Sequence, residues 1–282
     1  MQIGIGLPNQ VRNVDPTVIP RWAGKSEQAG FSTLGTLGRN AYPGVADTVT
    51  LAAAAGATSR IGLTPAVLLA PTWPATLLAK EVAGIDGVSG GRLTLALGVG
   101  GRPDDFVAPE YGMKGRGARF DRDLRTFHDV WAGEPVGGGS NPAVPHGTRQ
   151  VPILMGGGVP ATMQRMARWG IGYIGGAGPA AMLAPVFEQA RAAWTEAGRE
   201  GSPRLVAIAY FTLGDPDSGR ANILDFYAGS DFAELSVQAA SFSPDAIKTI
   251  VAQWEEVGAD ELILFPWTPD LAEIDRLAEV VF

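Results

Sequence analysis

Eight short apolar runs alternate with amphipathic helical stretches along the 282 residues, and a complete strand–helix–strand unit lies near their centre. Together these predict an α/β fold, a (β/α)8 TIM barrel forming a single domain over residues 1–282. The length agrees, since barrels of roughly 250 residues commonly form one domain. A doubly wound open sheet is the alternative on pattern alone. It would more often carry one strong phosphate loop near its amino terminus.

The central unit spans residues 61–101. Its first strand, 61–69, is an apolar run broken by Pro65, with Pro71 and Pro74 marking the exit loop. From Pro74, Leu78, Val82 and Ile85 recur at helical spacing, and Ser89-Gly90-Gly91 ends the helix. In the next strand, 93–99, Leu93, Leu95, Leu97 and Val99 share one face while Thr94, Ala96 and Gly98 share the other. That small face leaves room, and Gly98, Gly100 and Gly101 allow backbone to approach a flat ligand closely. The run is no dinucleotide fingerprint, because Pro103 stands where a third glycine should fall.

Two units precede this one. Ile3, Ile5 and Leu7 alternate with Gly4 and Gly6 in a strand, 3–7, whose glycine face suits a crowded barrel centre. A helix over 19–28 stops at Gly30, and the strand 31–37 runs into Gly38-Arg39-Asn40-Ala41-Tyr42 before an alanine-rich helix, 45–57. After the central unit comes a long charged loop, 102–117, of a length that is usually functional or disordered. A helix over 119–131 carries Phe120, Leu124, Phe127 and Trp131 at helical spacing, and 133–145 reads as a connection back.

The fifth and sixth strands, 151–155 and 171–174, end in Gly156-Gly157-Gly158 and in Gly175-Gly176-Ala177-Gly178, each leading into a helix: 160–169 and 182–197. Unpaired amides and the helix dipole make such turns anion sites. A seventh strand, 205–213, precedes an irregular region, 214–242; helix 244–257, strand 261–265 and helix 271–281 close the chain.

A net charge of −7 repels polyanions and argues against nucleic acid as a partner. The absence of cysteine excludes disulfides, thiolate metal sites and a cysteine nucleophile. No apolar run approaches the roughly 18 residues of a membrane span, and no secretory signal opens the sequence, so a cytoplasmic protein is expected. The two histidines, His128 and His146, fall inside an outer helix and in a return loop, without metal spacing. No metal is expected, and no Gly-x-Ser-x-Gly elbow supports a serine hydrolase.

What remains gathers at the carboxyl ends of the strands: Asn9, Arg39, Asn40, Tyr42, Trp73, Arg102, Glu110 and Trp267. Arg39 and Asn40 are the catalytic candidates, through hydrogen bonds to a ring edge or a substrate. Tyr42, Trp73 and Trp267 are assigned to an apolar substrate wall. No acid–base pair is evident, which suits a reaction whose chemistry a cofactor carries.

The run from TPAVLLAP through SGGR to LALGVGG resembles the bacterial luciferase-like family of flavin- and deazaflavin-dependent oxidoreductases. So do IGIGLPNQ at the start, AGF before the second strand, RGARFDRDLRTFHDVWAG in the middle, then VPILMGGGVP and GADELILFP. The resemblance implies a TIM barrel holding FMN or coenzyme F-420. It places the ring against a distorted third strand at Thr64, Pro65, Ala66 and Val67, with a non-proline cis bond at Ala66–Val67, and runs Gly98, Val99 and Gly100 along the cofactor. By the same likeness Met155, Gly156 and Gly157 flank the ribityl chain, and Gly175, Gly176 and Ala177 hold the phosphate through backbone amides.

Many relatives carry a histidine or acidic residue after the second strand, where this chain has Gly38-Arg39-Asn40, so the family's usual proton donor is missing there. That departure favours coenzyme F-420 and hydride transfer to a small organic substrate. FMN-dependent monooxygenation and a non-catalytic flavoprotein are the alternatives. Arg102, Lys114, Arg116 and Arg119 are assigned to an anionic cofactor tail. The expected partners are a small-molecule substrate and a second copy of the chain, with no nucleic acid and no membrane.

Overall fold

The computed structural model covers residues 1–282. Its strands are β1 (Gln2–Gly6), β2 (Thr33–Thr36), β3 (Gly62–Pro65), β4 (Leu68–Leu69), β5 (Leu95–Gly98), β6 (Ile153–Gly156), β7 (Gly172–Ala177), β8 (Arg204–Phe211) and β9 (Glu261–Pro266). Every pairing between them is parallel, in the order β3-β2-β1-β9-β8-β7-β6-β5-β4. The two ends of that order are halves of one predicted strand: β3 registers on β2, and β4 registers on β5. A parallel bridge between Leu63 and Leu93 draws the seam together. The nine segments therefore make the eight staves of a TIM barrel in one domain, closed through the chain itself.

Ten helices surround it: α1 (Val18–Ala29), α2 (Asp47–Ala57), α3 (Ala75–Ser89), α4 (Arg116–Trp131), α5 (Pro160–Trp169), α6 (Ala180–Glu196), α7 (Pro216–Phe226), α8 (Ala233–Gln238), α9 (Pro244–Val257) and α10 (Ala272–Val281). None is long and apolar enough to cross a membrane.

Strand alternation divides the core into two layers. Leu34, Leu63, Leu95, Leu97, Met155 and Leu264 join the helices in an outer cluster of 51 buried residues. Ala96, Leu154, Ile174, Val206, Ile263 and Phe265 belong to an inner cluster of 13 that fills the barrel. The glycine face of β1 has its expected use. A Cβ on Gly6 would lie 2.3 Å from Cδ1 of Phe265, and one on Gly35 would lie 2.6 Å from its Cζ, so one ring takes the volume of two absent side chains.

Two segments differ from the pattern reading. Residues 214–242, expected to be irregular, hold α7 and α8. Asp215 caps α7 by accepting from the Ser218 amide at 3.1 Å, and Pro216 suits the first turn. Gly219 is small there because Thr212 Oγ1 would lie 2.3 Å from a Cβ built on it. The Gly175-Gly176-Ala177 run is also no turn; it is the end of β7, with a register shift between Ile174 and Ala177.

At Gly172 a Cβ would lie 1.9 Å from the Arg204 carbonyl oxygen, a main-chain atom that cannot swing away. Gly172→Ala should therefore cost about 3 kcal/mol by forcing β7 from β8. Urea unfolding should show a lower midpoint at unchanged slope; an unaltered midpoint would mean that the two strands separate freely there.

Candidate functional site

Parallel βα units place their turns at the carboxyl end of the barrel, and a cavity of about 350 Å3 opens there. Its lining comes from the loop between β2 and α2 (Gly38, Arg39, Asn40, Tyr42), from Asp47 at the start of α2, and from Leu68, Thr72, Trp73 and Val107. Arg39, Asn40, Tyr42 and Trp73 are thus brought together as the sequence predicted. Trp267 is not among them. It is fully buried beneath the mouth, packed edge-on against Tyr210 and Phe226, so it stiffens the inner core and does not wall a substrate.

Arg39 and Asn40 bond to neighbouring segments of the chain. The Arg39 guanidinium donates to Asp104 and to the Phe226 carbonyl, lies 3.7 Å from Asp105 Oδ1, and faces the Tyr42 and Phe226 rings. Asn40 Nδ2 donates to the Asp105 carbonyl at 2.8 Å and to Thr72 Oγ1 at 3.0 Å. Through these bonds the pair clasps loop 102–117 and the end of α7 over the cavity, while Arg39 Nε stays buried without a hydrogen-bond partner. Tyr42 donates to Asp225, which Arg12 also grips at 2.6 Å. Burial first, and then that carboxylate, push the Tyr42 phenol well above its usual value. Arg12 chiefly holds Asp225 below the usual carboxylate range.

The charged loop is stapled by similar bonds. Arg116 donates to the Gly100 carbonyl at 3.0 Å, Arg119 to the Pro71 carbonyl at 3.0 Å, and Arg102 to the Ala228 carbonyl at 2.8 Å. Arg116 and Arg119 thus each spend two nitrogens on backbone carbonyls. Arg102 keeps its buried Nη1 without a partner.

The residues carried over from the family likeness separate into groups. The Ala66–Val67 peptide is cis, where the resemblance placed it. Val67 then lays its side chain across two glycines, with Cγ2 2.7 Å from a Cβ built on Gly98 and Cγ1 2.8 Å from one built on Gly156. The room over Gly98 thus belongs to Val67, which corrects the expectation that a ring fills it directly. Pro65 is buried, and Val99 and Gly100 are half-buried, the latter at φ 74 against Phe106.

Gly157, at φ 122, and Gly176 are exposed; Ala177 is half-buried; Gly175 is buried, and a Cβ built on it would lie 3.4 Å from Phe187, an ordinary contact. Two side chains point away from the mouth. Met155 points outward into the helix-facing cluster, leaving only its backbone for a ligand. Thr64 donates to the Thr94 carbonyl and lines a separate cavity with Arg204 and Glu261, at the amino ends of the strands.

Asp47 was missed. Asn9 is fully buried and donates through Nδ2 to Asp47 Oδ1 at 3.2 Å and to the Val45 carbonyl at 3.1 Å, while its Oδ1 accepts from the Leu37 amide. Burial pushes the Asp47 carboxyl up to about 6, against the lowering pull of Thr36 and Asn9. An acid in the first turn of a helix is ordinary dipole chemistry, which hid it. His128 is bonded to Gln150 and stacked on Trp169, far from this chemistry.

The sequence model for the luciferase-like monooxygenases matches residues 1–264, and this chain belongs to that family. An uncharacterized protein of Mycobacterium tuberculosis is 30% identical over 175 residues, a match spanning 57% of this chain and 60% of that protein. Among solved structures, monooxygenase RslO1 from Streptomyces bottropensis is similar at 22% identity and a TM-score of 0.78, covering 99% of this chain and 97% of that one. An F-420-dependent secondary alcohol dehydrogenase in complex with an F-420–acetone adduct has the same TM-score of 0.78 at 16% identity, covering 100% and 98%. The oxygenating constituent of 3,6-diketocamphane monooxygenase from Pseudomonas putida, in complex with FMN, has a TM-score of 0.69 at 17% identity, covering 94% and 91%. At these identities the structures establish the fold.

Removing the clasp has a measurable effect. Arg39→Ala should raise amide hydrogen exchange across residues 103–106 and 226–228 by about tenfold, since charge-assisted bonds of about 1.5 kcal/mol are lost. Unchanged protection would show that other contacts hold the loop.

Proposed function

We propose that this luciferase-like protein is an oxidoreductase that binds a flavin-type cofactor at the carboxyl end of the barrel. On this reading coenzyme F-420 is favoured over FMN, and the reaction is exchange of a hydride with a small apolar or aromatic carbonyl, alkene or imine. The observation that carries it is the cavity of about 350 Å3 walled by Tyr42, Trp73 and Leu68, because Leu68 opens β4, directly after the strand break where the family resemblance seats the ring.

The residues present fit such a group. No atom lies within 4 Å of a Cβ built at Gly158 or Gly176, so an anion has open access to backbone amides beside the amino end of α5 and the end of β7. When bound, the cofactor supplies the hydride chemistry. Ala66 and Val67 give the ring a floor, Gly156, Gly157, Gly176 and Ala177 give the ribityl chain and phosphate their amides, and Tyr42 and Trp73 shield the substrate from water. The Arg39–Asn40 clasp keeps loop 102–117 in place over them. The F-420- and FMN-containing neighbours support the cofactor class, and the absence of a histidine beside Gly38 favours the deazaflavin.

Titration of the purified protein with F-420 and with FMN, followed by fluorescence quenching, tests this. Tighter binding of F-420 is expected. Binding of FMN alone, with oxygen consumption coupled to product, would favour the monooxygenase; binding of neither would sink the proposal. In the same experiment Gly176→Asp sets a negative charge beside the phosphate. It should weaken the phosphorylated cofactor about tenfold while sparing the dephosphorylated one, and equal losses would remove β7 from the phosphate site.

A further inference from the structure

We propose that Asp47 is the proton donor of this site, passing its carboxyl proton to the substrate heteroatom as the hydride reaches the neighbouring carbon. The proposal rests on the oxidoreductase reading above. It adds a residue that neither the motifs nor the family likeness assigned.

Four observations converge on it. Asp47 is the only carboxylic acid lining the cavity, among Arg39, Tyr42 and Trp73. The other titratable groups facing it are already committed: Arg39 to Asp104, Asp105 and the Phe226 carbonyl, Tyr42 to Asp225. Asn9, anchored on the Leu37 amide and the Val45 carbonyl, holds Asp47 Oδ1, while Oδ2 accepts no hydrogen bond. Gly38 makes room for the carboxyl, because a Cβ there would lie 2.4 Å from Oδ2 and 2.8 Å from Oδ1. The carboxyl makes no ion pair, and its burial carries its titration to about 6, so it is mostly protonated below that pH and holds a proton in roughly a tenth of molecules at pH 7.

The balance closes for a carbonyl substrate. Its carbon accepts the hydride of the reduced flavin-type cofactor, the C=O π pair moves to oxygen, and that oxygen takes the proton of Asp47. One C–H and one O–H bond form, the Asp47 O–H bond breaks, the carbonyl is reduced to an alcohol and the cofactor is oxidised. The Asp47 carboxylate is then reprotonated from solvent. In the reverse direction it takes the alcohol proton.

The test has two arms. Carboxyl-region infrared difference titration of the cofactor-free protein should show a group with a midpoint near pH 6 that disappears in Asp47→Asn. The comparison variant is Asp123→Asn, because burial also lifts Asp123 to about 6 on α4, away from the cavity; it should retain the Asp47 band. With cofactor bound, reduction of a small ketone should slow as pH rises through that midpoint. In Asp47→Asn it should be about a hundredfold slower and independent of pH across it, with cofactor affinity kept and Asp47→Glu partly restoring the rate. Failure of the wild type to bind cofactor overturns the oxidoreductase reading itself. Binding with a wild-type rate and pH profile in Asp47→Asn overturns the assignment of Asp47 alone, as does an Asp47 carboxyl already ionised at pH 4.

Discussion

The third strand is shared between two neighbours, and the site depends on that division. Residues Gly62–Pro65 lie in register with β2, and Leu68–Leu69 with β5, so the barrel closes where one strand changes partner. Between the halves, the Ala66 amide still donates to the Thr36 carbonyl at the end of β2. Val67 is then free to cover Gly98 and Gly156 on the other side. Leu68 reaches the cavity, and the short 3-10 turn over Ala70–Thr72 delivers Trp73 to its rim. A strand paired along its whole length with one neighbour would set these residues elsewhere.

Above that seam the mouth is held by charge more than by apolar burial. Loop 102–117 buries Asp105 but leaves Val107 exposed, so it has little hydrophobic surface with which to fold onto the barrel. Arginines replace what burial does not supply: Arg39, Arg102, Arg116 and Arg119 each reach a main-chain carbonyl across a gap between elements. Bonds of this kind contribute about 1.5–3 kcal/mol each and are directional, so they specify where a loop sits as well as that it stays. Arg102, Arg116 and Arg119 of the basic cluster hold main-chain carbonyls in this way.

Periodicity made the staves and most helices legible, because alternation in Ile3, Ile5 and Leu7 and helical spacing in Phe120, Leu124 and Phe127 are consequences of burial that any fold with these elements must show. It said nothing of where β3 changes partner; only the family likeness pointed to Ala66–Val67. Reading 214–242 as irregular missed α7, inside which Gly219 packs closely on Thr212. Residue type did not show the partners of Arg39 and Asn40, which lie 32 positions away at Thr72 and 65 or more away at Asp104, Asp105 and Phe226. The converse holds for Asp47. A first-turn acid looks routine until the fold sets Asn9 behind it and an open cavity before it.

The Phe265 ring occupies space vacated by Gly6 and Gly35 on two other strands. These three positions, separated by more than two hundred residues, form one inherited unit. A side chain gained at either glycine is tolerated only in a lineage that has already trimmed position 265, and a trimmed 265 leaves a void until a glycine is lost. Descendants of this chain are therefore expected to change the three together or not at all, a signature to be sought in covariation across the barrel and not in any single column.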